Sequence, residues 1–109
     1  MAKLLGISEA VSGHEYEIGD LCLIGRSTNA QVRLADLSVS RQHAKITRST
    51  DGYFIEDQES TLGTLVNGLA VAVSHLQHND EITVGGTSFR FINGPEARGE
   101  SARFSLVWD

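Results

Sequence analysis

Turn chemistry recurs at short intervals along this 109-residue chain and leaves little room for a long helix. Asp51-Gly52, Asn67-Gly68 and Gly85-Gly86 are hairpin signals, because the tight turns that join antiparallel strands need positive φ at central positions. The stretches around them are short and rich in β-branched or aromatic residues, the pattern of half-buried strands. Runs 3–7, 14–18, 21–25, 31–34, 44–49, 52–57, 64–66, 69–73, 81–84 and 88–92 read as strands. No window carries a helical period, and no internal repeat is evident. Many short strands with frequent turns predict an all-β domain, a β-sandwich as first choice and a small barrel as second.

Length and composition limit what such a domain can do. A chain of 109 residues supports one core and not two, and 40% hydrophobic with 21% charged residues is ordinary globular composition. The single cysteine, Cys22, lies in the apolar run Leu21–Gly25. It reads as a small core residue, and neither a disulfide framework nor a cysteine metal site can be built from it. His14, His75 and His78 lack the paired spacing of metal ligands, so no metal or cofactor is expected. The first ten residues lack the basic region and apolar core of a signal peptide, and no run is long enough to span a bilayer. The expectation is a cytoplasmic protein with no membrane association, monomeric on its own.

A net charge of −5 argues against a nucleic-acid binder, which would show a basic footprint. The charge is unevenly spread. Residues 26–48 hold Arg26, Arg33, Arg41, Lys45 and Arg48 against one acid, Asp36. Inside that segment the stretch Leu37-Ser38-Val39-Ser40-Arg41-Gln42-His43 sets a serine, an arginine and a histidine within four residues. A nucleophile with its base, a metal site and an anion-holding loop are the three explanations. The first would use Ser40, His43 and Asp57, yet nothing marks an oxyanion hole or a nucleophile-elbow glycine, so an enzyme is not expected. An anion site fits the local charge. Taken singly, each residue has a plainer role: Arg26 as a surface ion-pair partner, Ser40 as a turn residue bonding its own backbone, Thr61 as a strand end.

The polar residues fall in three loops, 25–30, 36–42 and 58–63. Their order is Gly25-Arg26, then Ser40-Arg41-x-His43, then Asp57-x-x-Ser60-Thr61-x-Gly63-Thr64, then Val66-Asn67-Gly68. This ordered set, with the later stretch 78–91, resembles the forkhead-associated (FHA) domain over about residues 21–92. The resemblance implies a β-sandwich of about eleven short strands, FHA/SMAD-like, with ligand loops at one end. It also implies a signalling module that recognises phosphothreonine on a protein partner. Arg26 and Ser40 would be the principal phosphate ligands, with Arg41 and Thr61 assisting. Ser38 sits where the family reads the third residue after the phosphothreonine. Gly25, His43, Gly63, Asn67 and Gly68 would support the site, His43 bracing the loops from behind.

The physical chemistry agrees with these implied roles. A phosphothreonine carries roughly −1.5 to −2 charge and three strong acceptor oxygens. An arginine offers it a planar fork of donors, and a serine hydroxyl adds another. One position departs from the family. Leu62 stands where an asparagine usually precedes Gly63-Thr64, and that asparagine hydrogen-bonds the peptide main chain. The departure gives weight to a rival, an FHA fold used for protein–protein assembly with weak or no phosphate dependence. Residues 1–93 are expected to form the domain. Residues 94–109, with Pro95 in a polar stretch and Trp108 near the end, read as a linker-like stretch plus a terminal strand that either closes the domain or leads to another.

Overall fold

The computed structural model describes residues 2–94, which form eleven strands in two sheets. The strands are β1 (Ala2–Gly6), β2 (Glu15–Ile18), β3 (Leu21–Gly25), β4 (Val32–Arg33), β5 (Ala44–Ser49), β6 (Gly52–Asp57), β7 (Thr64–Val66), β8 (Leu69–Val71), β9 (Val73–Leu76), β10 (Glu81–Val84) and β11 (Thr87–Ile92). One sheet runs β2-β1-β11-β10-β7-β8 and the other β4-β3-β5-β6-β9. Every pairing is antiparallel except the short β3/β4 contact, Ile24 with Val32 and Gly25 with Arg33. A three-residue 3₁₀ turn at Glu9–Val11 interrupts the first hairpin.

Period-two patterning builds these layers. In β1, β5, β6, β10 and β11 buried residues alternate with more exposed ones, so each strand turns one face inward. Leu4, Ile18, Phe89 and Phe91 from one sheet meet Ile24, Ile46 and Ile55 from the other, all fully buried. Phe89 takes Tyr16 edge-on at 5.8 Å, and Phe91 takes Tyr53 at 5.5 Å. Burying an aromatic or aliphatic side chain of this size contributes about 1.5–3 kcal/mol. Cys22 joins this core, and burial pushes its thiol up to about 11, so it is an inert filler.

Three sequence expectations change. The apolar run Leu69–Val73 is not one strand: at Ala72 the chain leaves the six-stranded sheet as β8 and enters the other as β9, pinned by an Asp57 N–H bond to the Ala72 carbonyl at 2.8 Å. The 31–34 strand shrinks to Val32–Arg33, because the Gln31 side chain, rather than its backbone, accepts the Leu23 N–H at 2.7 Å. In the β5–β6 hairpin Ser49 pairs with Gly52, so Thr50 and Asp51 make the turn and Gly52, at φ 120°, opens the next strand. The Asn67-Gly68 turn has positive φ at both positions, 52° and 83°. The linker-and-strand expectation for 94–109 concerns, from Pro95 onward, positions outside the described residues, Trp108 among them.

Candidate functional site

The strand registers bring several loops to one end of the sandwich. Ile24 pairs with Ala44 and Ala44 with Asp57, so the end of β3, the start of β5 and the end of β6 lie side by side. Across the core Thr64 opens β7 opposite Val84, just before the Gly85-Gly86 turn. The loops that leave these points are 26–31, 34–43, 58–63 and 85–86.

Backbone contacts lock the first two loops together. The Arg26 and Ser27 N–H groups donate to the Ser40 and Arg41 carbonyls, both at 3.1 Å. Gly25 makes that approach possible, since a Cβ there would fall 2.0 Å from the Arg41 carbonyl oxygen. Arg26, half-buried, reaches along the same seam, and its Nε donates to the Val39 carbonyl. That bond leaves the terminal guanidinium nitrogens for a ligand.

His43 is fully buried and works from behind. Its Nδ1 accepts the Ser40 N–H at 3.0 Å, which requires the proton on Nε2, and Nε2 donates to the Gly63 carbonyl at 2.8 Å. One imidazole therefore ties the 34–43 loop to the 58–63 loop. Both ring nitrogens are committed to main chain, so His43 is not placed to take a proton from the Ser40 hydroxyl.

Asp57 organises the third loop. Its carboxylate accepts from the Ser60 hydroxyl at 2.6 Å, the Ser60 N–H at 3.2 Å and the Thr64 hydroxyl at 2.7 Å. Ser60 Oγ in turn accepts the Gly63 N–H at 2.9 Å. Burial works to raise the Asp57 carboxyl, but the bonds from Ser60 and Thr64 outweigh it and hold the group below the ordinary carboxylate value. Thr64, fully buried, carries this network from one sheet to the other. The loop turns through positive φ at Glu59 (55°) and Gly63 (86°).

What these braces frame is a groove of about 460 Å³ lined by Arg26, Ser38, Ser40, Arg41, Thr61 and Leu62 together with Leu37 and Val39. All six residues expected to touch a ligand thus lie on one concavity. Thr61 and Ser40 are joined directly, the Thr61 N–H donating to Ser40 Oγ at 3.0 Å. Ser38 also anchors its loop to the β10–β11 turn, where its hydroxyl accepts the Gly86 N–H at 3.0 Å while its own N–H donates to Asp36 at 2.9 Å. Leu62 is 62% exposed at the rim, where it makes no demand on the fold.

The groove is cationic because its arginines are unpaired. Lys45 meets Glu56 across β5 and β6 and Arg48 meets Asp20 in the turn before β3, whereas Arg26, Arg33 and Arg41 form no ion pair among the described residues. A concavity with two unpaired guanidinium groups and a free hydroxyl proton offers the donors that a phosphate-like anion accepts. Among the described residues no three metal-ligating side chains come together.

The family model for the FHA domain matches residues 22–85. The chain belongs to the FHA family. An FHA domain solved in a structural and functional analysis of phosphothreonine-dependent FHA domain interactions superposes with TM-score 0.80 at 32% identity, over 86% of this chain and 97% of that one. Mycobacterium tuberculosis EmbR, solved with a low-affinity phosphopeptide, matches with TM-score 0.76 at 30% identity, over 84% of this chain and 24% of EmbR. The oxoglutarate dehydrogenase inhibitor of Corynebacterium jeikeium is 39% identical over 70 residues, covering 64% of this chain. The FHA chain spans about half the length of that relative, 49%.

The fold places two expected support residues elsewhere. Asn67 and Gly68 lie at the opposite end of β7 from the groove. There Asn67 Nδ2 donates to Asp80 at 3.0 Å and its Oδ1 accepts the Glu81 N–H at 2.9 Å, stitching β7 to β10. Conversely, sequence reasoning did not assign the Asp57–Ser60–Thr64 brace to the site. Its signal was present: a serine three residues after an aspartate is a local side-chain-to-backbone turn pattern.

Proposed function

We propose that this FHA domain binds phosphothreonine on a protein partner through the groove at the loop end, and that it is a recognition module with no catalytic activity of its own. The observation that carries this reading is the junction of Arg26, Ser40, Arg41 and Thr61 on one concavity whose braces all lie behind it. The phosphate would take the free Arg26 nitrogens and the Ser40 hydroxyl proton, with Arg41 adding charge and Thr61 closing the side. Residues 1–93 would form the binding unit. The setting we propose is the cytoplasm, with the domain monomeric on its own; no helix among the described residues is long and apolar enough to cross a membrane.

Leu37, 88% exposed, and Leu62, 62% exposed, flank the same groove and favour a second reading. An apolar rim around a phosphate site suits an assembly surface in which side-chain burial supplies most of the affinity. Calorimetry with matched threonine, phosphothreonine and phosphoserine peptides separates the two. Phosphothreonine-dependent binding, weaker for phosphoserine, is expected. Equal binding of phosphorylated and plain peptides would establish the assembly reading instead.

A further inference from the structure

Arg26 lines two concavities. Beside the groove lies a second hollow of about 270 Å³ lined by Arg26, Ser27, Thr28, Arg33 and Arg41, with no acidic residue among them. Arg33 is exposed, and its Nε donates to the Arg26 carbonyl at 3.3 Å, which steadies the side chain and leaves both terminal nitrogens open. Ser27 Oγ accepts the Asn29 N–H at 3.1 Å and so retains a proton to donate. Asp36, the one acid in the basic segment, is engaged by Ser38 and lies outside this hollow. Three guanidinium groups around one concavity repel one another, and an anion between them relieves that repulsion while accepting planar, two-pronged hydrogen bonds.

We propose that this hollow reads a second anionic group on the ligand, a carboxylate or a second phosphate. The inference rests on the phosphothreonine reading of the adjoining groove. Because the hollows share Arg26 and Arg41, and an extended peptide advances about 3.3 Å per residue, the second anion lies within about three residues of the phosphothreonine. Of the three residues that line this hollow and not the groove, Ser27, Thr28 and Arg33, only Arg33 is charged, so it is the specificity determinant.

The test is fluorescence anisotropy with an alanine-background phosphothreonine peptide in which aspartate is scanned from three residues before to three after the phosphothreonine. Phosphoserine is then scanned over the same positions. The readout is the affinity ratio of acidic to alanine peptide within each protein, for the wild type and for Arg33→Gln. The expected result is a gain of about three- to tenfold on one side of the phosphothreonine, shrinking at high salt and close to one in Arg33→Gln. A gain with aspartate assigns a carboxylate, and a gain confined to phosphoserine assigns a phosphate. Phosphate-dependent binding with no gain at any position, or a gain undiminished in Arg33→Gln, overturns this inference alone. Loss of phosphate dependence altogether overturns both readings.

Discussion

The Thr61 main-chain N–H donates to Ser40 Oγ at 3.0 Å, a bond that spans 21 residues of sequence and joins two loops at the floor of the groove. By accepting that bond, the Ser40 oxygen is oriented so that its own proton is left for a ligand. Ser40→Ala removes the donor to the phosphate and the tether to Thr61 together. Phosphothreonine-peptide affinity is expected to fall about tenfold or more, with a loss of folding stability of about 0.5–1.5 kcal/mol, as for one net hydrogen bond. Calorimetry and chemical denaturation measure the two. A stability loss with unchanged affinity would make Ser40 a loop tether only.

Arg26 separates charge from geometry. Arg26→Ala should cost about 1.5–3 kcal/mol of binding, roughly ten- to hundredfold. Arg26→Lys should recover only part of it, because a lysine cannot both donate to the Val39 carbonyl and present a planar fork. The check is peptide affinity beside melting temperature; parallel losses in both would mark Arg26 as a structural residue.

His43 is the reverse case. His43→Ala leaves the Ser40 N–H and the Gly63 carbonyl without partners and opens a cavity at a fully buried position. A stability loss of about 2–5 kcal/mol is expected. Urea denaturation gives the value. A fully stable His43→Ala protein that no longer binds would place the histidine in the ligand contact instead.

Asp57 sets the acid limit of the fold. Its folded-state proton affinity lies below that of an unfolded aspartate, near pH 3.9. Its contribution to stability is therefore fully present above about pH 4 and disappears as pH falls through the lower folded value. Urea midpoints between pH 2 and pH 7 should decline over that interval, and Asp57→Asn should flatten the decline while lowering stability at pH 7. An unchanged acid limb in Asp57→Asn would assign the pH dependence to other carboxylates, Asp36 first, which the Ser38 N–H and hydroxyl also hold low.

Leu62 tests the missing clamp. Asparagine offers a donor and an acceptor to a peptide backbone where leucine offers only apolar contact, and each net bond contributes about 0.5–1.5 kcal/mol. Leu62→Asn is expected to tighten generic phosphothreonine peptides severalfold with no change in melting temperature, since Leu62 is exposed. Weaker binding after this change would identify Leu62 as a contact made for a particular partner.

The strands were legible wherever polar residues punctuate the alternation, as in Ala44–Ser49 and Thr87–Ile92. Leu69–Val73 was not, because five apolar residues in succession hide the crossing at Ala72, and the bond that fixes it comes from Asp57, distant in sequence. The groove residues were legible because their chemistry is unusual at that spacing. Asn67 misled for a geometric reason: three residues from Thr64 in an extended strand is a displacement of roughly 10 Å, far enough to leave the site. Arg33 was visible only as one charge in a basic segment, since the division of that segment into paired and unpaired cations depends on the partners Glu56 and Asp20.

The braces behind the groove all run through residues that turn inward or along the main chain: His43 to Gly63, Asp57 to Thr64, Gly25 against Arg41. Leu37 and Leu62, which face outward, make none of these bonds to hold the loops in place. Retargeting the domain to a new phosphorylated partner is consequently a matter of repainting the rim. Substitutions there can change the company the protein keeps while the frame that presents them stays as it is.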